Sequence, residues 1–215
     1  MSEAWAFPRA RILVFARAPR LGTVKTRLAT EIGEAAALAV YEQLLEHSLR
    51  VAAADRLAPV ELHVAGDTGN PVLQRLAARY ACRLVPQVAG DLGRRMQAAL
   101  ETALGRAEVA VLVGSDCPVL AAAHLRRVLE RLAAGSTPVF IPAEDGGYVL
   151  IGTRDAPPWL FRDIDWGSEH VMSQTRQRLA QHACRAIELE PLWDLDRPQD
   201  LLRWQRQGGF TPPGG

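Results

Sequence analysis

Arg11-Ile-Leu-Val-Phe-Ala-Arg-Ala-Pro-Arg-Leu-Gly-Thr-Val-Lys-Thr-Arg-Leu28 begins as an unbroken apolar run and turns at once into a basic loop. Arg11 to Ala16 reads as a buried strand, apolar on consecutive residues as a parallel strand covered on both faces must be. In a parallel sheet, ligands bind beyond the carboxyl ends of the strands, and the first such loop is a common phosphate site. Gly22 lets backbone approach a ligand closely, and Thr23 and Thr26 offer hydroxyls. Arg17, Arg20, Lys25 and Arg27 place four positive charges within eleven residues. Arginine grips a phosphate through two parallel hydrogen bonds, whereas lysine acts as a point charge. The Walker spacing G-x-x-x-x-G-K-[ST] is absent. The competing reading of this stretch is a solvated basic turn.

Outward from that strand, apolar runs alternate with helical patterns. Glu34 to Ala53 has apolar residues at helical spacing, Val60 to Ala65 is the next strand, and Val72 to Tyr80 the next helix. A short strand at Arg83 to Val85 precedes a helix capped by Asp91 and running to about Leu104. Val109 to Val113 is the clearest buried strand, with a helix over Ala121 to Ala134 behind it. Pro138 to Ile141 and Tyr148 to Ile151 read as two strands split by Glu144 to Gly147. This alternation predicts an α/β protein with a mostly parallel sheet. The second half is less regular: a loop over Trp159 to Gly167, a helix over Ser168 to Leu179 and a last strand at Arg185 to Leu189. A final helix starts near Asp196 and tolerates Pro198 in its first turn. No repeat or linker divides the chain, so residues 1–215 read as one domain with a core over about 11–207 and a frayed tail from Gly208.

Composition narrows the classes. Of 215 residues, 48% are hydrophobic and 23% charged, as in ordinary globular proteins, which excludes disordered and collagen-like chains. With 25 basic against 24 acidic residues the net charge is +1, so nothing argues for nucleic acid or an anionic membrane as partner. Only one of those basic residues, Lys25, is a lysine. Cys82, Cys117 and Cys184 form no C-x-x-C pair, which argues against a disulfide framework or a cysteine zinc site. Met1 to Ala10 lacks the layout of a signal peptide and no apolar run approaches 18 residues, so a cytoplasmic protein without a membrane span is expected. Neither H-E-x-x-H nor G-x-S-x-G occurs.

Three further acidic segments carry potential chemistry. Gly114-Ser-Asp-Cys-Pro118 follows the strand Val109 to Val113 directly, so Asp116 faces the same crevice as the basic loop. There it can hold Mg²⁺ or Mn²⁺ through carboxylate oxygen; alternatively it caps the helix that follows. Asp194 and Asp196 alternate and, on extended backbone, share a side from which they can add a carboxylate to that metal, or they are merely two exposed acids before a helix. Glu144, Asp145, Gly146 and Gly147 either build a hairpin turn or face an acceptor substrate. Weaker signals are Gly90-Asp-Leu-Gly93, whose glycines can admit a base or ribose, and the cluster of Asp163, Asp165, Trp166, Glu169 and His170, which can contact an acceptor.

In order, A-R-A-P-x-x-G-x-V-K-T-R-L, G-D-L-G-x-R-M, G-S-D-C-P, P-A-x-D-G-G-Y and D-x-D-x-P-x-D-L resemble the bacterial DUF2064 family over about Arg11 to Trp204. That family is described as glycosyltransferase-A-like and is related to molybdenum-cofactor and phospholactate guanylyltransferases. The resemblance implies a Rossmann-like nucleotide-diphospho-sugar transferase (GT-A) fold, a mixed sheet with helices on both faces. It implies a nucleotide site at Arg17, Gly22, Thr23, Lys25, Arg27, Gly90, Asp91 and Gly93, with Lys25, Arg27 and Asp116 catalytic. It also implies Mg²⁺ or Mn²⁺ at Asp116, Asp196 and Asp194; an acceptor is expected near Asp145, Gly146, Gly147 and Trp166 on the reading of those segments themselves. The A-R-A-P loop departs from the Gly-rich loop of many nucleotidyltransferases and so tilts the donor toward a nucleotide sugar. The expected function is metal-dependent group transfer from a nucleotide sugar to a small-molecule acceptor. The alternatives are guanylyltransferase-like nucleotidyl transfer and a non-catalytic nucleotide-binding regulator.

Overall fold

A computed structural model of the chain describes residues 4–209. Most of the tail expected to fray lies outside them; Gly208 and Gly209 close the last helix by donating to the carbonyls of Gln205 and Trp204. Strands β1 (Ala10–Arg17), β2 (Val60–Ala65), β3 (Arg83–Pro86), β4 (Val109–Val113), β5 (Val139–Pro142), β6 (Tyr148–Thr153) and β7 (Ile187–Glu188) form one seven-stranded sheet. The helices are α1 (Thr26–Ile32), α2 (Glu34–Ala53), α3 (Pro71–Arg79), α4 (Leu92–Leu104), α5 (Ala122–Ala133), α6 (Val171–Gln181) and α7 (Pro198–Arg206). Strand order is β3-β2-β1-β4-β6-β5-β7, and only β6 runs against the rest. The expected α/β fold with a mostly parallel mixed sheet is therefore the fold observed.

Side chains alternate along each strand because the pleat has a period of two. Ile12 and Val14 of β1 and Val111 and Val113 of β4 pack on one face with Leu45 of α2, Leu76 of α3 and Leu129 of α5. Leu13, Phe15 and Leu112 point to the other face, against Met96 and Leu100 of α4 and Met172 and Leu179 of α6. Helices thus cover both faces. A third cluster joins Leu28 of α1 and Val40 and Leu44 of α2 to Trp193, Leu195, Leu201 and Trp204, and anchors the segment after β7.

The chain runs outward through β1, β2 and β3, then returns to place β4 on the other side of β1. The loops leaving β1 and β4 diverge there, opening a crevice at the carboxyl ends of the strands.

Differences from the sequence reading are local. Helix α1 lies in the stretch read as loop; it has seven residues and ends at Gly33 in a left-handed turn (φ 83°) before α2 begins. Helix α6 starts at Val171 rather than Ser168, because the Ser168 hydroxyl donates to the Asp165 carbonyl and accepts from the His170 amide, holding 165–170 in a turn. The last strand shrinks to two residues paired with β5. Glu144 to Gly147 turn the β5–β6 hairpin, with Gly146 at φ 93°; a Cβ there would come within 2.1 Å of the Glu169 carbonyl oxygen.

Candidate functional site

The basic loop leaves β1 at Arg17, whose amide donates to the Tyr41 hydroxyl at 2.8 Å and whose carbonyl accepts from it at 2.9 Å. Tyr41 is a buried residue of α2, so the start of the loop is fastened to the helix behind it. Burial and the nearby Asp116 carboxylate push its phenol well above the ordinary range, so it stays neutral and acts as a brace. Gly22 takes the turn at φ 71°, and Thr23 spends its hydroxyl on the Arg20 carbonyl. Lys25 then caps α1 in a left-handed conformation (φ 48°). A non-glycine residue pays about 1–2 kcal/mol for that backbone, so something must hold it. Its ammonium donates to the Leu195 carbonyl and pairs with the Asp116 carboxylate. The Lys25 side chain is 5% exposed and that of Asp116 47%, so the pair has one covered end and one facing solvent.

Asp116 does not cap α5: that helix starts at Ala122, with Ala121 at its cap position. Its carbonyl accepts from the Leu195 amide at 2.9 Å, and this bond aligns 193–196 with the loop after β4. The same segment is steered from β5 by bonds from the Leu192 amide to the Pro142 carbonyl and from the Glu144 amide to the Leu192 carbonyl. Trp193 and Leu195 are buried, which turns Asp194 and Asp196 to the other side, as alternation on extended backbone requires.

The two aspartates nevertheless meet different partners. Asp196 binds Arg27 at 2.7 Å. Asp194 is half-buried near Asp145, Asp116 and Lys25; burial and the two like charges outweigh the ammonium and push its carboxyl up to about 7. The crevice therefore sets Asp194 near Asp116, Asp145 and Lys25, while Asp196 and Arg27 pair at its rim. Among the described residues no three His, Cys, Asp or Glu side chains stand close enough to hold a metal ion by themselves. The oxygen donors fit a hard divalent cation of the kind that takes one or two carboxylates and completes its shell with substrate phosphate and water.

The remaining candidates lie around this centre. Asp91 caps α4, accepting from the Arg94 amide at 2.8 Å, and Gly90 before it has φ 127°. Gly93 is buried against Trp166 and the Phe161 carbonyl, where a Cβ would come within 2.5 Å of both. Trp166 also meets Tyr148 edge-to-face at 6.1 Å. Gly93 and Trp166 thus join the start of α4 to the loop before α6. Asp145 accepts from the Gly147 amide, and its neighbour Glu144 is tied to Arg203 through two bonds of 2.7 and 3.2 Å. Cys117 is buried and its thiol is pushed up to about 12, chiefly by burial, which makes it a packing residue rather than a nucleophile. Tyr41, Gln87 and Arg95 also serve this region and went unread: Tyr41 looks like core on an amphipathic helix, and Gln87 lies outside any charged cluster. An open depression of about 500 Å³ near Glu46, His47, Arg50 and Tyr80 contains none of the crevice carboxylates. No helix among the described residues is long and apolar enough to cross a membrane.

The sheet order and the helices on both faces define a nucleotide-diphospho-sugar transferase or cytidylyltransferase type of fold. A protein of Desulfovibrio desulfuricans G20, described as a candidate nucleotide-diphospho-sugar transferase, is 28% identical with a TM-score of 0.82, over 95% of this chain and 90% of its own. The 4-diphosphocytidyl-2C-methyl-D-erythritol synthase of Anaerococcus prevotii DSM 20548 superposes at a TM-score of 0.60 with 10% identity, covering 93% and 96% of the two chains. Glucosyl-3-phosphoglycerate synthase of Mycobacterium tuberculosis, solved with Mn²⁺, uridine diphosphate and glucosyl-3-phosphoglycerate, gives 0.51 with 15% identity over 93% and 76%. No curated protein matches the sequence. A family model described as "Uncharacterized protein conserved in bacteria (DUF2064)" matches residues 48–168, and the chain belongs to that family.

Proposed function

We propose that the protein is a divalent-metal-dependent transferase with an activated nucleotide as donor, and that it moves a glycosyl or related group from a nucleotide sugar to a small-molecule acceptor. The observation that carries this reading is the Lys25–Asp116 pair at the switch point, with Asp194 beside it and the Arg27–Asp196 pair at the rim. A crevice with clustered carboxylates and surrounding cations suits a diphosphate bridged to a metal. The relative that is 28% identical and described as a candidate nucleotide-diphospho-sugar transferase supports the choice of donor.

Asp116 and Asp194 would hold Mg²⁺ or Mn²⁺, with Asp196 joining if Arg27 releases it. The bound ion would offset diphosphate charge as the donor bond breaks. Arg27, 64% exposed in its side chain, is free to turn toward phosphate oxygen. Lys25 has three N–H donors, of which two are taken by Asp116 and the Leu195 carbonyl, leaving the third for the donor. Gly90 and Asp91 would shape the base or ribose side and Asp145, Gly146 and Gly147 the acceptor side, while Gly93 and Trp166, packed on each other, would support these from behind. Residues 1–215 act as one transferase domain in this reading, in the cytoplasm. Nucleotidyl transfer from a nucleoside triphosphate is the second reading, favoured by the density of positive charge in the Arg17 to Arg27 loop.

A thermal-shift panel of nucleoside mono-, di- and triphosphates and nucleotide sugars, with and without Mg²⁺, tests this, because a ligand of the native state raises the midpoint by mass action. A nucleotide sugar or diphosphate should give the largest rise, dependent on Mg²⁺ in the native chain and independent of it in Asp116→Ala. The largest rise with a triphosphate selects the second reading. Binding that Mg²⁺ never affects in the native chain refutes metal-dependent transfer and leaves a nucleotide-binding regulator.

A further inference from the structure

Gln87, just beyond β3, is held at three points. Its Nε2 donates to the carbonyls of His63 at 2.9 Å and Ala16 at 3.3 Å, bridging the carboxyl ends of β2 and β1. Its Oε1 accepts from Nη1 of Arg95 at 3.1 Å, and Nε of Arg95 donates to the Asp91 carbonyl at 3.2 Å. The Arg95 guanidinium, on the first turn of α4, is therefore fixed over the ends of β1 and β2. Arg17 follows Ala16 directly, and its backbone is pinned by Tyr41.

Gln87 touches both Arg95 and the Ala16 carbonyl that precedes Arg17, so the two arginines leave neighbouring points of the sheet end. Burial first, and the Arg17 charge second, hold the Arg95 pKa below its ordinary range. Among the described residues neither forms an ion pair with a carboxylate, whereas Arg27, Arg79 and Arg203 do. Apart from the Asp91 carboxylate at the cap of α4, which favours the Arg95 charge without pairing with it, two like charges side by side repel until an anion joins them. Their planar forks match the oxygens of a phosphate group. They stand on the β2 side of the crevice, while Lys25 and Asp116 stand on the β4 side.

We propose that Arg95 and Arg17, braced by Gln87, form a second anion subsite that takes a phosphate group of the nucleotide, separate from the centre at Lys25 and Asp116. The ligand's identity as a nucleotide rests on the proposed function; the anion site rests on the arginines alone. Arg95 is the specificity-determining residue, Arg17 its partner and Gln87 a positioning residue.

Calorimetric titration of inorganic pyrophosphate and of a nucleoside diphosphate into the native chain, Arg95→Gln and Gln87→Ala, in metal-free buffer, tests this. Arg95→Gln should weaken pyrophosphate at least about tenfold, the loss of a hydrogen bond to a charged group, with no fall in the unfolding midpoint. Gln87→Ala leaves the charge but frees the side chain, and should weaken it about threefold. Equal affinity in Arg95→Gln and the native chain overturns the subsite, as does a native chain that binds no pyrophosphate. If Arg95→Gln keeps native affinity while Mg²⁺ still strengthens nucleotide binding through Asp116, the transferase reading stands and this subsite alone fails. The converse result leaves the subsite standing without the metal.

Discussion

The two halves of the molecule bring opposite charge to one crevice. Arg17, Lys25, Arg27 and Arg95 come from the half ahead of β4, where Arg17 ends a parallel strand and Arg95 sits in the first turn of α4, while Lys25 caps the short helix α1 that carries Arg27. Asp145, Asp194 and Asp196 come from the half after β5, where the β5–β6 turn and the segment after β7 are steered by single hydrogen bonds. Asp116 is the exception, an acid at the end of the central strand β4 that meets both. The difference teaches that strand and helix ends set Arg17 and Arg95 in place on their own, whereas Lys25 and the acids after β7 depend on being tied to one another. The ties are the Lys25 ammonium on the Leu195 carbonyl and the Leu195 amide on the Asp116 carbonyl.

The most severe way to break that arrangement is to cut the tie. Lys25→Met keeps the length of the stem but leaves Asp116 and the Leu195 carbonyl without their donor. It should destabilise the chain by about 2 kcal/mol, below the cost of breaking a fully buried pair because Asp116 is half exposed. Denaturant titration with an unchanged m-value reads this. A variant as stable as the native chain would show that the halves are not joined there.

A milder change sharpens the comparison. Asp194 has a folded pKa of about 7 against an ordinary 3.8, so the native state binds the extra proton between those values. In metal-free buffer, the contribution of Asp194 to stability should be greatest below about pH 4, decline as pH rises toward 7 and level off above it, and it is read as the difference between the native chain and a variant without this carboxyl. Asp194→Asn should flatten that decline, so that it exceeds the native chain at pH 8 by about 2 kcal/mol or less. Parallel profiles for the two proteins would mean that Asp194 carries its charge without cost.

This contrast also explains what the sequence made legible. β2, β4 and α2 are legible to the residue because alternation in β2, an unbroken apolar run in β4 and a 3.6-residue period in α2 mark them. The Asp91 cap and Pro198 at the start of α7 were legible from local chemistry. Helix α1 was missed because seven residues with two β-branched threonines carry too little periodicity. Asp116 and the D-x-D pair were legible as candidates. That Asp194 turns to Asp116 while Asp196 turns to Arg27 was not, since the Leu195 bonds that set it join residues about eighty or more positions apart. Arg95 lies inside the G-D-L-G-x-R-M motif, yet its relation to Gln87 and Arg17 exists only in three dimensions.

The central claim is a shared metal between the ends of β4 and the segment after β7. Crystals grown with Mn²⁺ and a nucleoside diphosphate, measured for the anomalous scattering of manganese, test it most directly. The account predicts one peak, within about 2–2.5 Å of carboxylate oxygens of both Asp116 and Asp194, with diphosphate oxygens completing its shell. A peak elsewhere, with Asp116 still paired to Lys25 and the nucleotide bound, would contradict it.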